Sequence, residues 1–356
     1  MKKTQKTLPK IDYAWQEDLL VRLLNTPSPT GFADLAIKLV EKELAVFPEV
    51  KMERTRKGSL LVTLAGEDGE DAPVTRGLTA HVDTLGGMVR EIKPSGRLEL
   101  TNVGGFAWGS FEGENCLVHT RDKGVVRGSF LPHKASVHVY DNARDEKREA
   151  GTMEVRLDAR VSSADEVRKL GIEVGDFVSF DARVELVNGF VKSRHLDDKA
   201  AVVNLISAIK TLHDNKLKPA KGTCFLFSNY EEVGLGGSSD FPVSLEELVA
   251  VDMAAIGEGQ ASDEFHTSIC VKDAGGPYHH GLSNKLRDLA KSHEIPVKVD
   301  TYPHYSSDGK AYWRAGGHAA VALIGPGVDS SHHYERTHKD ALIDTTKWVL
   351  AYLLSE

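Results

Sequence analysis

The stretch CFLFSNYEEVGLGG, residues 224–237, joins an apolar run to two adjacent glutamates and a glycine-rich turn. The apolar run predicts a buried strand over 223–228, and Glu231 and Glu232 follow it closely. A Glu-Glu pair usually belongs to a solvated loop, which fits poorly with the apolar residues just before it. Neighbouring residues at a strand end point in different directions, so one carboxylate can bind a metal while the other handles a proton.

Segments of helical and strand-like pattern alternate on both sides of this stretch. The predicted helices are 14–24, 32–46, 198–213, 283–293 and 341–354. The predicted strands are 59–65, 74–80, 223–228, 248–252, 297–301 and 319–324. This alternation is typical of an α/β domain.

The pattern changes between about residues 90 and 190, where short alternating segments are separated by glycines and charged turns. Examples are RLELTNV, GVVRGSF, SVHVY and DFVSF, which predict a small β-barrel or sandwich. SADEVRKLG is the clear helix of this region, with Ser163 as its N-cap and Gly171 at its end. We therefore expect one α/β domain, residues 1–89 and 190–356, interrupted by an inserted β domain, residues 90–189.

Composition and charge narrow the classes of function. The chain has 356 residues, of which 41% are hydrophobic, and a net charge of −8 with no basic stripe, so we expect no nucleic-acid partner. The three cysteines, Cys116, Cys224 and Cys270, form no CxxC pair and suit reduced thiols in a cytoplasm. No segment approaches the roughly 18 unbroken apolar residues of a membrane span, and the amino-terminal lysines precede no signal-peptide core. We expect a cytoplasmic protein without membrane contact.

Further polar residues stand at the ends of other predicted strands or at the start of a helix. A spacing of two places the side chains of a His-x-Asp pair on one face of a strand. The Asp-Asp pair begins a predicted helix, where it could equally serve as an N-cap. These residues are His81 and Asp83 in TAHVDT, Asp197 and Asp198 in RHLDDKAA, Asp252 in LVAVDMA, and the three histidines of SSHHYERTH.

These side chains are predicted to gather at one edge of the sheet, because ligands of open α/β sheets bind at the carboxyl ends of the strands. Several ionised carboxylates at that edge would repel one another by a few kcal/mol unless cations lay among them. Two divalent metal ions about 3.5–4 Å apart would remove that repulsion. The sequence therefore predicts a two-metal site.

The motif order is His-x-Asp, Asp-Asp-Lys, Glu-Glu-x-Gly, Val-Asp-Met and a late His, and it resembles the di-metal aminopeptidases of the M42 family within the zinc-peptidase clan. The resemblance covers nearly the whole chain, including the position of the β insertion. It implies an α/β peptidase domain with a doubly wound mixed sheet, an inserted small β-barrel used for assembly, and dimers that build hollow tetrahedral dodecamers admitting peptides. The YERTH segment further resembles a branch associated with an N-acetylglutaminylglutamine amide osmoprotectant.

The resemblance also implies a role for each of the collected residues. Glu231 would be the general base, and the carboxylate of Asp83 would hold the ring of His81. We choose His332 over His333 as the last ligand, because its spacing from the strand and the SHxYERTH context resemble a subgroup of the family. Two divalent ions are expected, with zinc first and cobalt or manganese as alternatives. Their ligands would be His81, Asp197 as the bridge through a cis bond to Asp198, Glu232, Asp252 and His332.

These roles predict an aminopeptidase in which a metal-activated water attacks the peptide carbonyl while Glu231 moves the proton. An amide or acyl hydrolase of the same clan with a specialised small substrate is the alternative, since it would share every ligand. A non-catalytic binding protein is a second alternative, which the absence of bound metal in purified protein would favour. Phosphate binding by GLGGSS is disfavoured, because neither a Walker lysine nor GxGxxG spacing is present.

Overall fold

The computed structural model describes residues 7–356, so the first six residues of the predicted 1–89 segment lie outside the described residues. Within the described part, the elements before the barrel are α1 (Tyr13–Leu24), α2 (Asp34–Leu44), β1 (Lys51–Arg54), β2 (Leu60–Leu64) and β3 (Arg76–His81). The barrel region contains β4 (Gly86–Ile92), β5 (Leu98–Val103), β6 (Asn115–His119), β7 (Val125–Pro132), β8 (Met153–Leu157), α3 (Ala164–Lys169) and β9 (Phe177–Phe180). The elements that follow are β10 (Glu185–Val187), β11 (Phe190–Ser193), α4 (Leu196–Asp214), β12 (Thr223–Ser228), β13 (Glu247–Val251), β14 (Ala254–Ala255), β15 (Thr267–Asp273), β16 (Gly276–Pro277), α5 (His280–Ser292), β17 (Val297–Thr301), α6 (Asp308–Arg314), β18 (Ala320–Val328), β19 (Glu335–His338) and α7 (Lys339–Leu354).

The central sheet is mixed and has the strand order β1-β2-β12-β3-β13-β18-β15-β16, with β14 on β18 and β17 on β15. Its middle strands β12, β3, β13 and β18 are parallel, whereas β2 and β15 pair with them antiparallel. The register sets Ser228 of β12 opposite His81 of β3. The carboxyl ends of the parallel strands therefore meet at one edge of the sheet.

Both faces of this sheet are covered, because alternate residues of its buried strands enter different cores. Phe225 and Phe227 of β12 pack in the core that contains residues of α1, α2, α4, α5 and α7. Cys224, which precedes Phe225 in β12, packs on the other face of the sheet with Tyr312 of α6. Helices on both faces of a mixed sheet confirm the doubly wound α/β fold.

The inserted segment forms a closed six-stranded barrel in the order β4-β5-β8-β7-β6-β9. Of the two predicted alternatives, a barrel or a sandwich, the barrel is therefore the correct one. Alternating residues such as Leu100, Phe130 and Val155 fill its interior. Ser163 caps α3 by accepting from the backbone N–H of Glu166, as its sequence predicted. The domain limits at 89/90 and 189/190 stay a prediction.

Several local predictions differ from the structure. SVHVY forms a turn, in which Ser136 O accepts from the N–H groups of Val139 and Tyr140, and its alternating valines lie exposed rather than in a strand. β15 was missed because two of its buried residues, Thr267 and Ser268, are polar and hide the strand pattern. α6, which has 7 residues and fewer than two full turns, was not predicted either.

Arg194 links the barrel to the α/β domain. Its Nη2 donates to the carbonyl of Ser110 at 2.6 Å and to Glu114 Oε1 at 2.8 Å, and its Nη1 donates to the carbonyl of His333 at 3.1 Å. The guanidinium also lies 4.4 Å from the ring centroid of Phe111. Both Arg194 and Glu114 are buried, and Glu114 also pairs with the more exposed Arg183 at 2.5 Å. Arg194 depends on Glu114 for charge compensation.

Replacing Glu114 with Ala should therefore destabilise the fold by about 3–5 kcal/mol, because it leaves the Arg194 guanidinium buried without a carboxylate. Urea unfolding measures this change. The matched control is Glu112→Ala, which breaks a pair with Arg148 at the surface and should cost less than about 1 kcal/mol. Equal losses in the two variants would contradict the assignment of Arg194 as a buried link.

No helix among residues 7–356 has both the length and the apolar character needed to cross a lipid bilayer.

Candidate active site

The predicted site residues converge at the carboxyl edge of the central sheet. His81 is the last residue of β3, Asp252 directly follows β13, and Glu231 follows β12 by three residues. They meet the start of α4 and the loop after β18 around a cavity of about 570 Å³. The cavity wall includes Asp197, Glu231, Glu232, Asp252 and His332.

Asp197 lies between two imidazoles. Its Oδ1 is 3.1 Å from Nε2 of His81, and its Oδ2 is 3.4 Å from Nε2 of His332. The same His332 nitrogen is 3.4 Å from Oε2 of Glu232. One carboxylate therefore faces both halves of the site. The peptide bond between Asp197 and Asp198 is cis.

Two groups of side chains within the described residues have ligand atoms that all lie within 4.8 Å of one another. One group is His81, Asp197 and Glu232, and the other is His81, Asp198 and Asp252. Sequence reasoning did not name Asp198 as a ligand. Its Oδ2 accepts from the backbone N–H of His81 at 3.2 Å, while its buried Oδ1 has no hydrogen-bond partner.

The carboxylate of Asp83 orients the turn that carries the two glutamates. Its Oδ1 accepts from the N–H of Glu231 at 3.2 Å and its Oδ2 from that of Glu232 at 3.4 Å. Thr30 donates its hydroxyl to the same Oδ2 at 2.6 Å. The Nδ1 of His81 lies 2.9 Å from the carbonyl oxygen of Asp83 and 3.8 Å from its carboxylate. Asp83 thus contacts the imidazole through its backbone and the glutamate turn through its side chain.

Asp308, which the sequence did not single out, holds the glycine-rich loop after the glutamates. Its Oδ1 accepts from the N–H of Gly237 at 2.6 Å, and its Oδ2 accepts from the hydroxyls of Thr79 and Ser228. A Cβ at Gly236 would lie 2.2 Å from Oδ1 of Asp308, so the loop needs a glycine there. The glycines of GLGG therefore allow a close approach to a buried carboxylate.

The loop after β18 distinguishes the two neighbouring histidines. His332 points into the cavity and its Nδ1 lies 2.5 Å from the carbonyl oxygen of Gly105. His333 is exposed, and its ring nitrogen accepts from the N–H of Tyr334. A buried carboxylate, Glu335, was also missed by sequence reasoning; it accepts from the N–H groups of Asp197 and His332. Its signal in the sequence is the YERTH segment.

The imidazoles and Asp197 stabilise one another as ions in the metal-free protein. Burial disfavours the imidazolium of His332, but the hydrogen bond with Asp197 and the charge of Glu232 outweigh burial and raise the pKa of His332 to about 10. The pKa of His81 is likewise raised, chiefly by its hydrogen bond with Asp197 against the effect of burial. Burial opposes ionisation of Asp197, yet hydrogen bonds from His332 and His81 lower the pKa of its carboxyl.

The remaining carboxyls are held toward their neutral forms. Burial raises the pKa of Glu232 to about 8 and that of Asp252 to about 7, and the charge of Asp197 adds to both shifts. Burial also raises the pKa of Glu231 well above its usual range, against the opposing effect of His81. Such crowding of acids in a cleft is typical of catalytic and metal-binding sites.

The sequence model of the M42 glutamyl aminopeptidase family matches residues 58–348 of this chain. The chain belongs to the M42 family. YhfE of Bacillus subtilis (strain 168), whose name places it among the aminopeptidases, is 47% identical over 339 residues, covering 95% of this chain and 97% of that relative. The lysyl aminopeptidase of Pyrococcus furiosus is 23% identical over 296 residues, covering 80% of this chain and 81% of that protein.

Solved structures share the fold of this M42 chain. The TET1 peptidase of Pyrococcus horikoshii, described as assembling into a tetrahedron or a large octahedral shell, superposes with a TM-score of 0.83 at 23% identity, covering 96% of this chain and 100% of that chain. A TET aminopeptidase of the marine sediment archaeon Thaumarchaeota archaeon SCGC AB-539-E09 superposes with a TM-score of 0.86 at 16% identity, covering 96% and 97%. The predicted M42 membership, with its class of peptide-bond hydrolases, is confirmed; the osmoprotectant branch stays a prediction.

Proposed function

We propose that this M42 chain is a two-metal aminopeptidase that removes amino-terminal residues from peptides, with Glu231 as the general base. The observation that carries the proposal is the position of Asp197, whose two carboxylate oxygens each face a different imidazole. A shared carboxylate between two sets of nitrogen and oxygen donors suits a pair of divalent ions.

The donor set fits two ions. We define site A as His81, Asp197 and Asp252, and site B as Asp197, Glu232 and His332. Imidazole and carboxylate are ligands that zinc favours, with cobalt or manganese as alternatives. Burial, with a contribution from the charge of Asp197, raises the pKa of Asp252 and of Glu232, and the Oδ1 of Asp198 beside site A has no hydrogen-bond partner. Cations would stabilise the ionised forms of these buried carboxyls. When bound, the ions would lower the pKa of a water and polarise the peptide carbonyl.

Glu231 is suited to move the proton. Its Oε2 lies 3.8 Å from Nε2 of His81 in site A, and Glu231 lines the same cavity as Glu232 and His332 of site B. Its N–H is fixed by Asp83, which limits the orientations of the turn. Burial raises the pKa of Glu231, and cations in the two sites would favour its ionised form; as a carboxylate with a raised pKa it would take a proton from the attacking water and return it to the leaving amine.

The cavity beyond the proposed ligands offers room for the amino-terminal residue of a peptide. Its far wall combines apolar and polar side chains, which include Met253, Tyr302, His304, Tyr305 and Arg314. Mixed walls of this kind are typical of pockets that bind small organic groups. They also leave open the alternative of a specialised amide substrate.

We further propose that the chain forms homo-oligomers, as dimers that build a tetrahedral dodecamer. The support is the shell described for the Pyrococcus horikoshii TET1 peptidase. The turn at SVHVY adds support, because it leaves Val137 52% and Val139 69% exposed on the barrel region. Neighbouring exposed apolar side chains often mark protein–protein contacts.

The three free, buried cysteines support a cytoplasmic location.

The proposal is tested with aminoacyl-anilides and short peptides before and after removal of metal by a chelator. We expect the untreated protein to release the amino-terminal residue, the stripped protein to lose this activity, and zinc, cobalt or manganese to restore it. Peptides with a blocked amino terminus are the matched control and should not be cleaved. Cleavage of blocked amides instead of free peptides would favour the alternative amide hydrolase.

Metal binding at neutral pH should release protons. His332 carries a proton below its pKa of about 10 in the metal-free protein, whereas a ligand imidazole must be neutral. The metal affinity should therefore rise with pH, by about tenfold per pH unit for each proton released. Calorimetric titration with Zn²⁺ in two buffers of different ionisation enthalpy counts these protons. Binding with the same heat in both buffers would contradict the prediction.

A further inference from the structure

The backbone supports the two sites unequally. In site A, His81 ends β3, and the N–H of Asp252 donates to the carbonyl of Ile324 at 2.9 Å, so both residues are held by the sheet. In site B, His332 has a positive φ of 64° and lies in an irregular loop two residues after Ser330, whose φ is 59°. A loop with such backbone angles lacks the regular hydrogen bonds of a sheet or helix and needs other acceptors.

The segment that supplies Asp197 is irregular as well. His195, two residues before it, has a φ of 71°, and Asp197 itself has a ψ of 102°, outside the helical range. Its backbone N–H lies in the first turn of α4, where the helix offers no acceptor. The two segments that meet in site B thus both present backbone donors in need of a partner.

Glu335 accepts from both of these donors. Its Oε2 takes the N–H of Asp197 at 3.2 Å and its Oε1 takes the N–H of His332 at 3.1 Å. The side chain is 2% exposed, so water cannot replace these bonds easily. One carboxylate therefore ties together the backbones of two proposed ligands that are 135 positions apart in the chain, from Asp197 to His332.

Glu335 is itself fixed by regular structure. It begins β19, and it pairs with Ser193 of β11, just before the segment that carries Asp197. Two residues further on, the hydroxyl of Thr337 donates to the carbonyl of Gly327 at 2.6 Å and ties β19 to β18. Because β19 is paired, the Glu335 carboxylate holds both irregular segments at a fixed position relative to this strand.

We infer that Glu335 is a positioning residue that sets the distance between Asp197 and His332 and thereby the metal affinity of site B. This inference rests on the proposed two-metal function. Glu335 has no role toward site A beyond its contact with Asp197, because His81 and Asp252 are held by the sheet. Loss of the Glu335 carboxylate should therefore weaken one ion more than the other.

The test uses Glu335→Gln. Its amide oxygen can accept from one of the two N–H groups, but its NH₂ group is a donor and cannot accept from the other. We expect two zinc ions per subunit in the unchanged protein by elemental analysis and chelator competition. In the variant, the ion in site B should bind about 10–100-fold more weakly, as is usual when a group behind a metal ligand is lost, and the ion in site A, which shares Asp197, should lose less affinity than that. His332→Ala serves as the reference that loses a site B ligand, and it should weaken the same ion.

The control is Arg336→Ala, which changes the next residue of β19 and removes a surface ion pair with Glu264. It should bind both ions as the unchanged protein does. Metal-free Glu335→Gln should remain folded, with a lower melting temperature than the metal-free unchanged protein because two buried hydrogen bonds are weakened. Unchanged affinity for both ions in folded Glu335→Gln, or equal weakening of both, would each overturn the inference. An unchanged protein that binds no metal would instead overturn the proposed function.

Discussion

Replacing Glu231 with Gln is expected to lower kcat for peptide hydrolysis by about 100-fold or more while metal content and fold remain intact. The amide keeps the size and the polar contacts of the side chain but cannot accept a proton from water. Glu231 is not among the proposed ligands, although its Oε2 lies 3.8 Å from His81. The loss should therefore appear in turnover, measured with an aminoacyl-anilide, and not in zinc content.

The matched control is Glu258→Gln, which makes the same chemical change at another residue of the cavity wall. Glu258 is exposed and lies in a loop after the short strand β14. Its replacement should leave kcat close to that of the unchanged protein. Similar turnover in Glu231→Gln and the unchanged protein would remove Glu231 from the role of base.

The sequence predicted that the site lies at the carboxyl edge of the sheet, because the apolar pattern of each strand is followed directly by acidic residues. Apolar runs mark β12 and β13, and the acidic residues Glu231 and Asp252 follow them within three positions. Parallel strands bring such ends together whatever the details of packing. The choice of His332 over His333 needed the resemblance to a family, because spacing alone allowed either residue.

The residues that hold the site in place were not predictable from pattern. Asp308 reaches Gly237 across 71 positions, and Glu335 reaches Asp197 across 138. Nothing in the local sequence of either acid shows which backbone donors it will meet, because the contacts depend on the tertiary fold. The role of the Asp83 carboxylate was hidden for the same reason, since its partners are the backbone N–H groups of a distant turn.

Replacing Asp197 with Asn is expected to weaken both metal ions, each by more than the roughly 100-fold that loss of a supporting group can cause. Asp197 is the one proposed ligand common to sites A and B, and its two oxygens face His81 and His332. An Asn side chain keeps one oxygen and presents NH₂ donors to the other half of the site. Activity should fall to background, and elemental analysis after dialysis should find neither ion.

The comparison with Asp252→Asn makes the expected result specific, because Asp252 belongs to site A alone and its replacement should release one ion. The competing arrangement pairs His81 and Asp252 with Asp198, and the ligand atoms of these three residues lie within 4.8 Å of one another. If Asp198 completes site A, then Asp197→Asn will keep one ion at unchanged affinity, and Asp198→Asn will lose it. Metal counts in these three variants therefore decide whether Asp197 is shared by both sites or serves site B alone, because loss of a shared ligand affects two ions.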